Sequence, residues 1–223
     1  MKLLAIDTAF ETCSVALWQD GDVLERYEHA PRGHAQLLLP WVEAVLAEAQ
    51  QTLAALDAIA FSRGPGSFTS LRIGIGVVQG LAFGADVPVL PVSSLRTTAQ
   101  QASTQGVSRA CVLMDARMDE VYTGCFELRD AVMMPVGEER VCAPEQALPA
   151  QPQQWHAVGN GCERFAPLAE AAFAAHLPAV WPRASTLAGL AAADFSAQTL
   201  LAAEQAQPVY LRDKVAEKSA GRR

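Results

Sequence analysis

The chain has 223 residues, of which 51% are hydrophobic and 18% are charged, and its formal net charge is −7. That length suits one large domain or two small lobes, and the apolar share is enough for a core without disulfides. The negative charge opposes direct binding of a nucleic-acid backbone by this chain alone.

The cysteine content and the N-terminal segment indicate the cellular compartment of the protein. An acidic residue at position 7 comes too early for the apolar region of a signal peptide, and Gln79, Asp86 and Pro88 interrupt the apolar stretch 73–92. The sequence therefore predicts a cytoplasmic protein with reduced thiols and no membrane association. No CxxC pair occurs among the five cysteines, which are Cys13, Cys111, Cys125, Cys142 and Cys162.

The first half predicts alternating strands and helices. Apolar runs and an Asp20-Gly21 turn favour a three-stranded meander at its start. Apolar residues then recur at helical spacing over 34–50, where Pro40 is tolerable only near the first turn. The predicted elements are strands 2–6, 14–19 and 22–28, helix 34–50, strand 57–61, loop 62–67, helix 68–84, strand 87–92 and helix 93–105. This βββαβαβα order is typical of an actin-like or hexokinase-like α/β fold.

The second half predicts a shortened copy of the first. Its elements are strands 110–115, 120–127, 132–141 and 155–158, then helical stretches near 164–175 and 185–203. No residue-level repeat is visible. We predict a boundary near Gly106, with an N-terminal lobe over 1–105 and a reduced C-terminal lobe over 106–211. The last segment, 212–223, has five basic and two acidic residues and is typical of a disordered tail.

A carboxylate and two hydroxyls, from Asp7, Thr8 and Thr12, lie at the tip of the first predicted hairpin. In the actin-like superfamily this tip holds a metal ion through its Asp and binds nucleotide phosphates. The glycine that such a loop needs is absent, since Ala9 and Phe10 stand there. An ordinary polar turn is the favoured interpretation, and phosphate binding is the alternative.

A glycine-proline loop joins a predicted strand to the helix over 68–84. Gly64 and Gly66 permit unusual backbone angles, and the N–H groups at the start of the helix can bind an anion. Ser67 or Thr69 could equally serve only as the helix cap. Spacing alone leaves anion binding and capping equally open.

Four glycines lie inside this helix, at Gly74, Gly76, Gly80 and Gly84, and the last three fall on one stripe. Each interior glycine costs about 1 kcal/mol relative to alanine, so three together need a compensating contact. Two contacts stay open: close packing on the chain's own sheet, and a helix interface with another subunit.

Residues for catalysis are scarce in this sequence. The histidines His29, His34, His156 and His176 never fall at HxxH, HxxxH or HExxH spacing, which argues against a first-row metal site. Neither a GxSxG elbow nor a P-loop with its lysine occurs. We therefore expect no catalytic residue, no metal and no cofactor.

The segment Gly64-Pro65-Gly66-Ser67-Phe68-Thr69, continuing from Leu71 to Ala82, resembles the signature of the TsaB family, also called YeaZ. Ser70 departs from it, because the family usually has glycine there. Further matches are Leu4 to Thr8, Arg32-Gly33-His34 with Leu38, Leu39 and Pro40, Asp115-Ala116-Arg117 ahead of Val121-Tyr122, and Pro208 to Arg212.

This resemblance implies a two-lobed actin-like fold and a role as obligatory partner of the catalytic paralogue TsaD. TsaD holds its metal through an HxxxH pair, which this sequence lacks. We expect a heterodimer with TsaD, help in recruiting the ATPase TsaE, contact with tRNA only through the complex, and a homodimer when the chain is alone. The expected interface, on the helices over 34–50 and 68–84, comprises His34, Leu38, Trp41, Val42, Val45, Gly76, Val77, Gly80, Leu81 and Gly84.

The alternative is an active enzyme of the same superfamily, either a small-molecule kinase or a glycoprotease. An adenosine-binding glycine motif in the second lobe would favour it. Gly159-Asn160-Gly161 is too short to be such a motif. The partner-subunit hypothesis is therefore preferred.

Overall fold

The computed structural model describes residues 1–196 and 200–212, so the predicted disordered tail beyond Arg212 lies outside the described residues. The described residues contain ten strands and six α-helices. The strands are β1 (Lys2–Asp7), β2 (Thr12–Gln19), β3 (Asp22–His29), β4 (Ala58–Gly64), β5 (Val89–Ser93), β6 (Arg109–Asp115), β7 (Val121–Arg129), β8 (Val132–Cys142), β9 (His156–Val158) and β10 (Ala175–Leu177). The helices are α1 (His34–Glu48), α2 (Phe68–Ala85), α3 (Ser94–Ser103), α4 (Gly161–Arg164), α5 (Ala166–Ala172) and α6 (Ala184–Asp194).

The first sheet has the strand order β3-β2-β1-β4-β5. Strands β1, β2 and β3 are antiparallel, whereas β4 and β5 run parallel to β1. Both residues of the Asp20-Gly21 turn have positive φ, of 51° and 106°, as a tight two-residue hairpin requires. The predicted meander is therefore present, and its turn lies where the sequence indicated.

Both faces of the first sheet are covered, which explains why β1, β2, β4 and β5 are almost continuously buried. The edge strand β3 has no buried residue. On one face Leu4 and Ile6 pack in the cluster that includes the buried sides of α1 and α2. On the other face Leu3 and Ala5 pack in a cluster with the small side chains of α6. The two-residue period of β1 thus divides its side chains between two helical layers.

The second sheet repeats the arrangement in the order β10-β9-β6-β7-β8. Its first three strands form an antiparallel meander, and β9 and β10 run parallel to β6. This repetition confirms the predicted actin-like fold class.

Two helices pack against the sheet of the other half. Helix α3 belongs to the first half in sequence but shares a core cluster with the second sheet, through Leu95 and Ala99. Helix α6 follows the second sheet and covers the first. The boundary near Gly106 stays a prediction.

Three predicted helices have different limits. Helix α1 continues through Pro40, its seventh residue and an exposed one, although a proline there removes one backbone hydrogen bond of the helix. The stretch 164–175 contains only the last residue of α4, the whole of α5, which a proline opens, and the first residue of β10, a strand that the sequence did not predict. The stretch 185–203 ends at Asp194, and Leu201 instead exchanges two backbone hydrogen bonds with Val89 at the edge of the first sheet.

Helix α2 is the one described helix that is long and apolar enough to span a membrane by length and composition, with a mean hydropathy of 1.3. A third of it is buried. Its buried side chains, among them Leu71, Ile75 and Val78, pack in core clusters of the chain.

Candidate functional site

The tip of the first hairpin is buried. Asp7, Thr8 and Thr12 are each at most 2% exposed. Asp7 Oδ1 accepts the N–H of Ala9 at 3.1 Å, and Thr8 Oγ1 donates to the carbonyl of Ser70 at 2.8 Å. Asp7 Oδ2 and Thr12 Oγ1 have no hydrogen-bond partner among the described residues. Burial raises the pKa of Asp7 to about 6.

The glycine-proline loop closes over this tip. The N–H of Ser67 donates to the carbonyl of Ala9 at 2.7 Å. A Cβ on Gly66 would lie 2.2 Å from that same oxygen, so only glycine permits this approach. Gly64 has a φ of +102°, and a Cβ there would lie 2.9 Å from the carbonyl oxygen of Val209.

The residues of the predicted anion site differ in their access to solvent. Asp7, Thr8, Thr12, Gly64 and Gly66 are buried, because the loop packs directly on the hairpin tip. Ser67 and Thr69 remain exposed. Any nucleotide affinity stays a prediction.

The N-terminus of α2 lacks the side-chain cap that was one of the two sequence interpretations. Ser67 is the N-cap residue, but its side chain makes no capping bond to the helix backbone. The hydroxyl of Ser70 donates to that of Ser67 at 3.1 Å. Ser70, the departure from the family signature, thus links the first turn of the helix to its cap.

The glycine stripe of α2 faces outward. A Cβ on Gly76, Gly80 or Gly84 would meet nothing within 4 Å in the described part of the chain. Phe83, on the same side of the helix, is 81% exposed. Packing of these three glycines on the chain's own sheet, one of the two contacts left open, is therefore wrong. Gly74 is different, since a Cβ there would lie 2.2 Å from Thr8 Oγ1.

The predicted interface residues of α1 need a correction. His34, Leu38, Val42 and Val45 are buried against the first sheet, because that side carries the most continuous apolar stripe. The ring Nε2 of His34 lies 3.1 Å from the carbonyl oxygen of Thr12, and burial lowers the pKa of His34. These four side chains are not available to a partner.

What remains open is a surface along α1 and α2, which we call the α1/α2 face. It carries three glycines and a row of half-buried side chains that border the first core. Its members are Leu37, Trp41, Ile73, Gly76, Val77, Gly80, Leu81, Phe83 and Gly84. Trp41, Val77 and Leu81 of the predicted interface thus lie on it together with the three glycines.

A cavity of about 480 Å³ lies where the two halves meet. Its walls combine aromatic rings with both signs of charge. The rings are Phe10, Phe68, Tyr122, Trp181 and Tyr210. The charged side chains are Glu11, Arg32, Asp115, Arg117 and Arg212. Four of the sequence segments that match the family signature therefore converge on one cavity.

The C-terminal segment completes this cavity. The N–H of Val209 donates to the carbonyl of Arg63 at 2.8 Å, and the guanidinium of Arg212 pairs with Glu120. Arg72 lies 3.9 Å from the centre of the Phe68 ring and donates to the Tyr210 hydroxyl at 2.9 Å. The sequence of 208–212 matches the family signature but does not predict where this segment lies in the fold. Its contacts join residues more than 80 positions apart, and no local pattern reveals them.

Two sheets of the same strand order, facing one shared cavity, define an α/β protein of the actin-like, hexokinase-like class. Residues 27–221 match the family described as TsaD: tRNA N6-adenosine threonylcarbamoyltransferase. A solved Pseudomonas aeruginosa protein, described as similar to the peptidase YEAZ, is 46% identical with a TM-score of 0.87, covering 95% of this chain and 99% of that chain.

Two curated relatives match over nearly their whole length. The Escherichia coli tRNA threonylcarbamoyladenosine biosynthesis protein TsaB is 41% identical, covering 98% of this chain and 97% of that protein. TsaB of Haemophilus influenzae is 38% identical, covering 96% and 95%. The chain belongs to the TsaB, or YeaZ, family, which confirms the resemblance drawn from residues 64–82.

Proposed function

We propose that this chain is a non-catalytic partner subunit in tRNA threonylcarbamoyladenosine biosynthesis, which docks on the transferase TsaD and activates it. Family membership supports the pathway. The observation that carries the docking role is the outward glycine stripe on α2, at Gly76, Gly80 and Gly84. We assign TsaD to the α1/α2 face that contains this stripe.

The energetic argument starts from the helix itself. Three interior glycines cost α2 about 3 kcal/mol relative to alanine. Nothing in the described chain requires their small size, because an added Cβ would meet no atom within 4 Å. Close approach of a second molecule's backbone would supply the missing contact. The exposed ring of Phe83 and the half-buried Trp41 supply apolar area beside the stripe.

The closed hairpin tip supports a non-catalytic role. Kinases of this superfamily bind a metal and nucleotide phosphates at that tip. Here the bond from the Ser67 N–H to the Ala9 carbonyl occupies it, and the carboxyl of Asp7 is buried. The net charge of −7 favours contact with tRNA through the complex rather than through this chain.

The same face can pair with itself. In the absence of TsaD we expect a cytoplasmic homodimer with an isologous contact between two copies of the α1/α2 face. A similar heterologous pairing replaces it when TsaD is present. Recruitment of the ATPase TsaE belongs to the same proposal and rests on the family resemblance.

The test compares two glycines with equal surroundings. Gly80 of α2 and Gly189 of α6 are both exposed, and a Cβ on either meets nothing within 4 Å. We expect Gly80→Leu to weaken TsaD binding and self-association about tenfold to a hundredfold, since overpacking costs about 1 to 3 kcal/mol. Gly189→Leu is the matched control and leaves both unchanged. Calorimetric titration measures TsaD binding, and analytical sedimentation measures self-association.

Thermal melts and a reconstituted tRNA modification assay complete the design. At a concentration where the chain is monomeric, both variants should melt at or above the temperature of the original chain, and only Gly80→Leu should lower modification. If Gly80→Leu binds TsaD normally but melts earlier, the stripe supports the chain's own fold and the docking assignment is wrong. ATP turnover by the chain alone above about 1 per second would instead favour the kinase alternative.

A further inference from the structure

The second sheet carries two cysteines directly opposite each other. Cys111 of β6 pairs in register with Cys125 of the antiparallel strand β7. Opposite residues of an antiparallel pair have Cα atoms about 4.5 or 5.5 Å apart, and disulfides form at separations of about 4.4 to 6.8 Å. The strand pairing therefore sets the two Cα atoms at a separation that a disulfide can span. Both side chains lie on the sheet face that packs under Trp155.

The two thiols differ in access. Cys125 is half-buried and lines a cavity of about 420 Å³ together with Arg109, Arg140 and Trp155. Cys111 is fully buried, and its Sγ lies 3.7 Å from the carbonyl oxygen of Ala147. A small reagent in the cavity would thus meet Cys125 first, with Cys111 behind it.

Two guanidinium groups flank the cavity. Arg109 lies 4.3 Å above the centre of the Trp155 ring and donates to Gln154 at 2.6 Å. Arg140 donates to the carbonyl of Gln146 at 2.8 Å, which holds it beside β7. Arg109 Nε and Trp155 Nε1 are buried without a hydrogen-bond partner among the described residues.

This environment makes the two thiols chemically unequal. A hydrogen bond from the Cys111 thiol, helped by Arg140 and Arg109, lowers the pKa of Cys125. The same hydrogen bond and burial raise the pKa of Cys111. Thiolates are the reactive form of cysteine, so Cys125 is the nucleophile and Cys111 stays a protonated thiol.

We propose that Cys125 and Cys111 are a reversible redox pair, in which Cys125 reacts with hydrogen peroxide and Cys111 then closes a disulfide across β6 and β7. In the first step the Cys125 sulfur attacks one peroxide oxygen, the O–O bond breaks, and the second oxygen leaves as water after taking a proton. Cys125 becomes a sulfenic acid.

In the second step Cys111 Sγ attacks the sulfenic sulfur of Cys125. The S–S bond forms, the S–O bond breaks, and the hydroxyl leaves as water with the proton of Cys111. The two cysteines lose two electrons and one peroxide is reduced to two molecules of water. An external dithiol restores both thiols by exchange.

The other cysteines lack this combination. Burial raises the pKa of Cys13 and of Cys162 to about 12, which suppresses their thiolates. Cys142 is half-buried on β8, but its partner in register is Val121. Cys142 is therefore the matched control for access without an opposing thiol.

The experiment treats the reduced full chain with one equivalent of hydrogen peroxide and maps peptides by mass spectrometry without reduction. We expect one dominant linked peptide joining Cys111 to Cys125, which dithiothreitol releases. Cys111→Ser should stop at a sulfenic acid on Cys125 that dimedone labels. Cys125→Ser should abolish both products, and Cys142→Ser should leave the disulfide unchanged.

A second measurement avoids any dependence on how the variants fold. Iodoacetamide is applied to the folded original chain before peroxide, and we expect Cys125 to be alkylated first and the disulfide to be lost with it. The proposal is overturned if Cys142 reacts while Cys125 does not. It is also overturned if peroxide yields no Cys111–Cys125 link, or if Cys125→Ser still forms the main oxidised product.

Discussion

The two ends of helix α2 use glycine for opposite reasons. At the N-terminal end, a Cβ on Gly66, in the loop just before the helix, or on Gly74 would lie 2.2 Å from an atom of the first hairpin. Farther along, a Cβ on Gly76, Gly80 or Gly84 would meet nothing. At the first end, which we call closed, the hairpin packs directly against the glycines. At the second end, which we call open, no atom of the described chain lies beside them. One residue type in one segment thus marks an internal contact at one end and a docking surface at the other.

The largest loss of stability is expected at Gly66, where an added Cβ would meet the backbone of Ala9. In Gly66→Ala the new methyl group would press on the carbonyl of Ala9, and neither backbone can yield without losing the Ser67 hydrogen bond. We expect a loss of about 3 to 4 kcal/mol in the free energy of unfolding. Urea denaturation measures it, with Gly76→Ala as control. Equal stabilities of the two variants would contradict the comparison.

The buried carboxyl beneath the closed end predicts a pH dependence. Burial raises the pKa of Asp7 from its ordinary value of 3.8 to about 6. A raised pKa means that protonation favours the folded state, so this contribution is fully present below about pH 4 and is lost as the pH rises through 6. Asp7→Asn keeps an acceptor for the Ala9 N–H and carries no charge.

We therefore expect Asp7→Asn to be more stable than the original chain at pH 7 by about 3 kcal/mol, and to lose this advantage near pH 4. Urea denaturation across that range measures the difference. Asp130→Asn, in an exposed turn, should run parallel to the original chain at every pH. If the stability of Asp7→Asn also runs parallel to that of the original chain at every pH, the carboxyl of Asp7 is not buried.

A double-mutant cycle sharpens the assignment of Gly74. The contact that excludes a Cβ there is the side chain of Thr8, with Oγ1 at 2.2 Å. We expect Gly74→Ala alone to lower stability by about 2 kcal/mol. In a Thr8→Ala background the same change should cost much less, because the obstructing oxygen is gone. Additive losses in the cycle would mean that another neighbour excludes the Cβ.

The smallest change in stability is expected at the outward-facing glycines of α2. Gly76→Ala and Gly84→Ala should each stabilise the chain by about 0.5 to 1 kcal/mol, because alanine favours the helix and no atom opposes its methyl group. Thermal melts at a concentration where the chain is monomeric detect the gain. A loss of stability in either variant would show that the open end is occupied within the chain.

Local pattern was enough for the order of the elements. The Asp20-Gly21 turn, the two-residue period of the strands and the helical spacing within 34–50 each describe residues close together in the chain. Such signals depend on neighbours a few positions away, so the predicted βββαβαβα order agrees with the structure. The family followed from a nearly continuous motif over 64–82 for the same reason.

Which side of α1 is open could not be predicted, because its sequence is apolar on more than one side. Only its position on the first sheet buries His34 and Leu38 and leaves Trp41 partly exposed. The sequence also could not predict that α3 packs on the second sheet and α6 on the first. An amphipathic helix does not specify which sheet it covers.

The amino-acid sequence by itself determined the order of the elements in the first half, the Asp20-Gly21 turn and the family, because these depend on local backbone preferences and on a contiguous motif. Only the tertiary structure decided which glycines are closed and which are open, and it alone set Cys111 opposite Cys125. These properties depend on strand register and on contacts between residues far apart in the chain. Such contacts form only when the sheets and helices pack together.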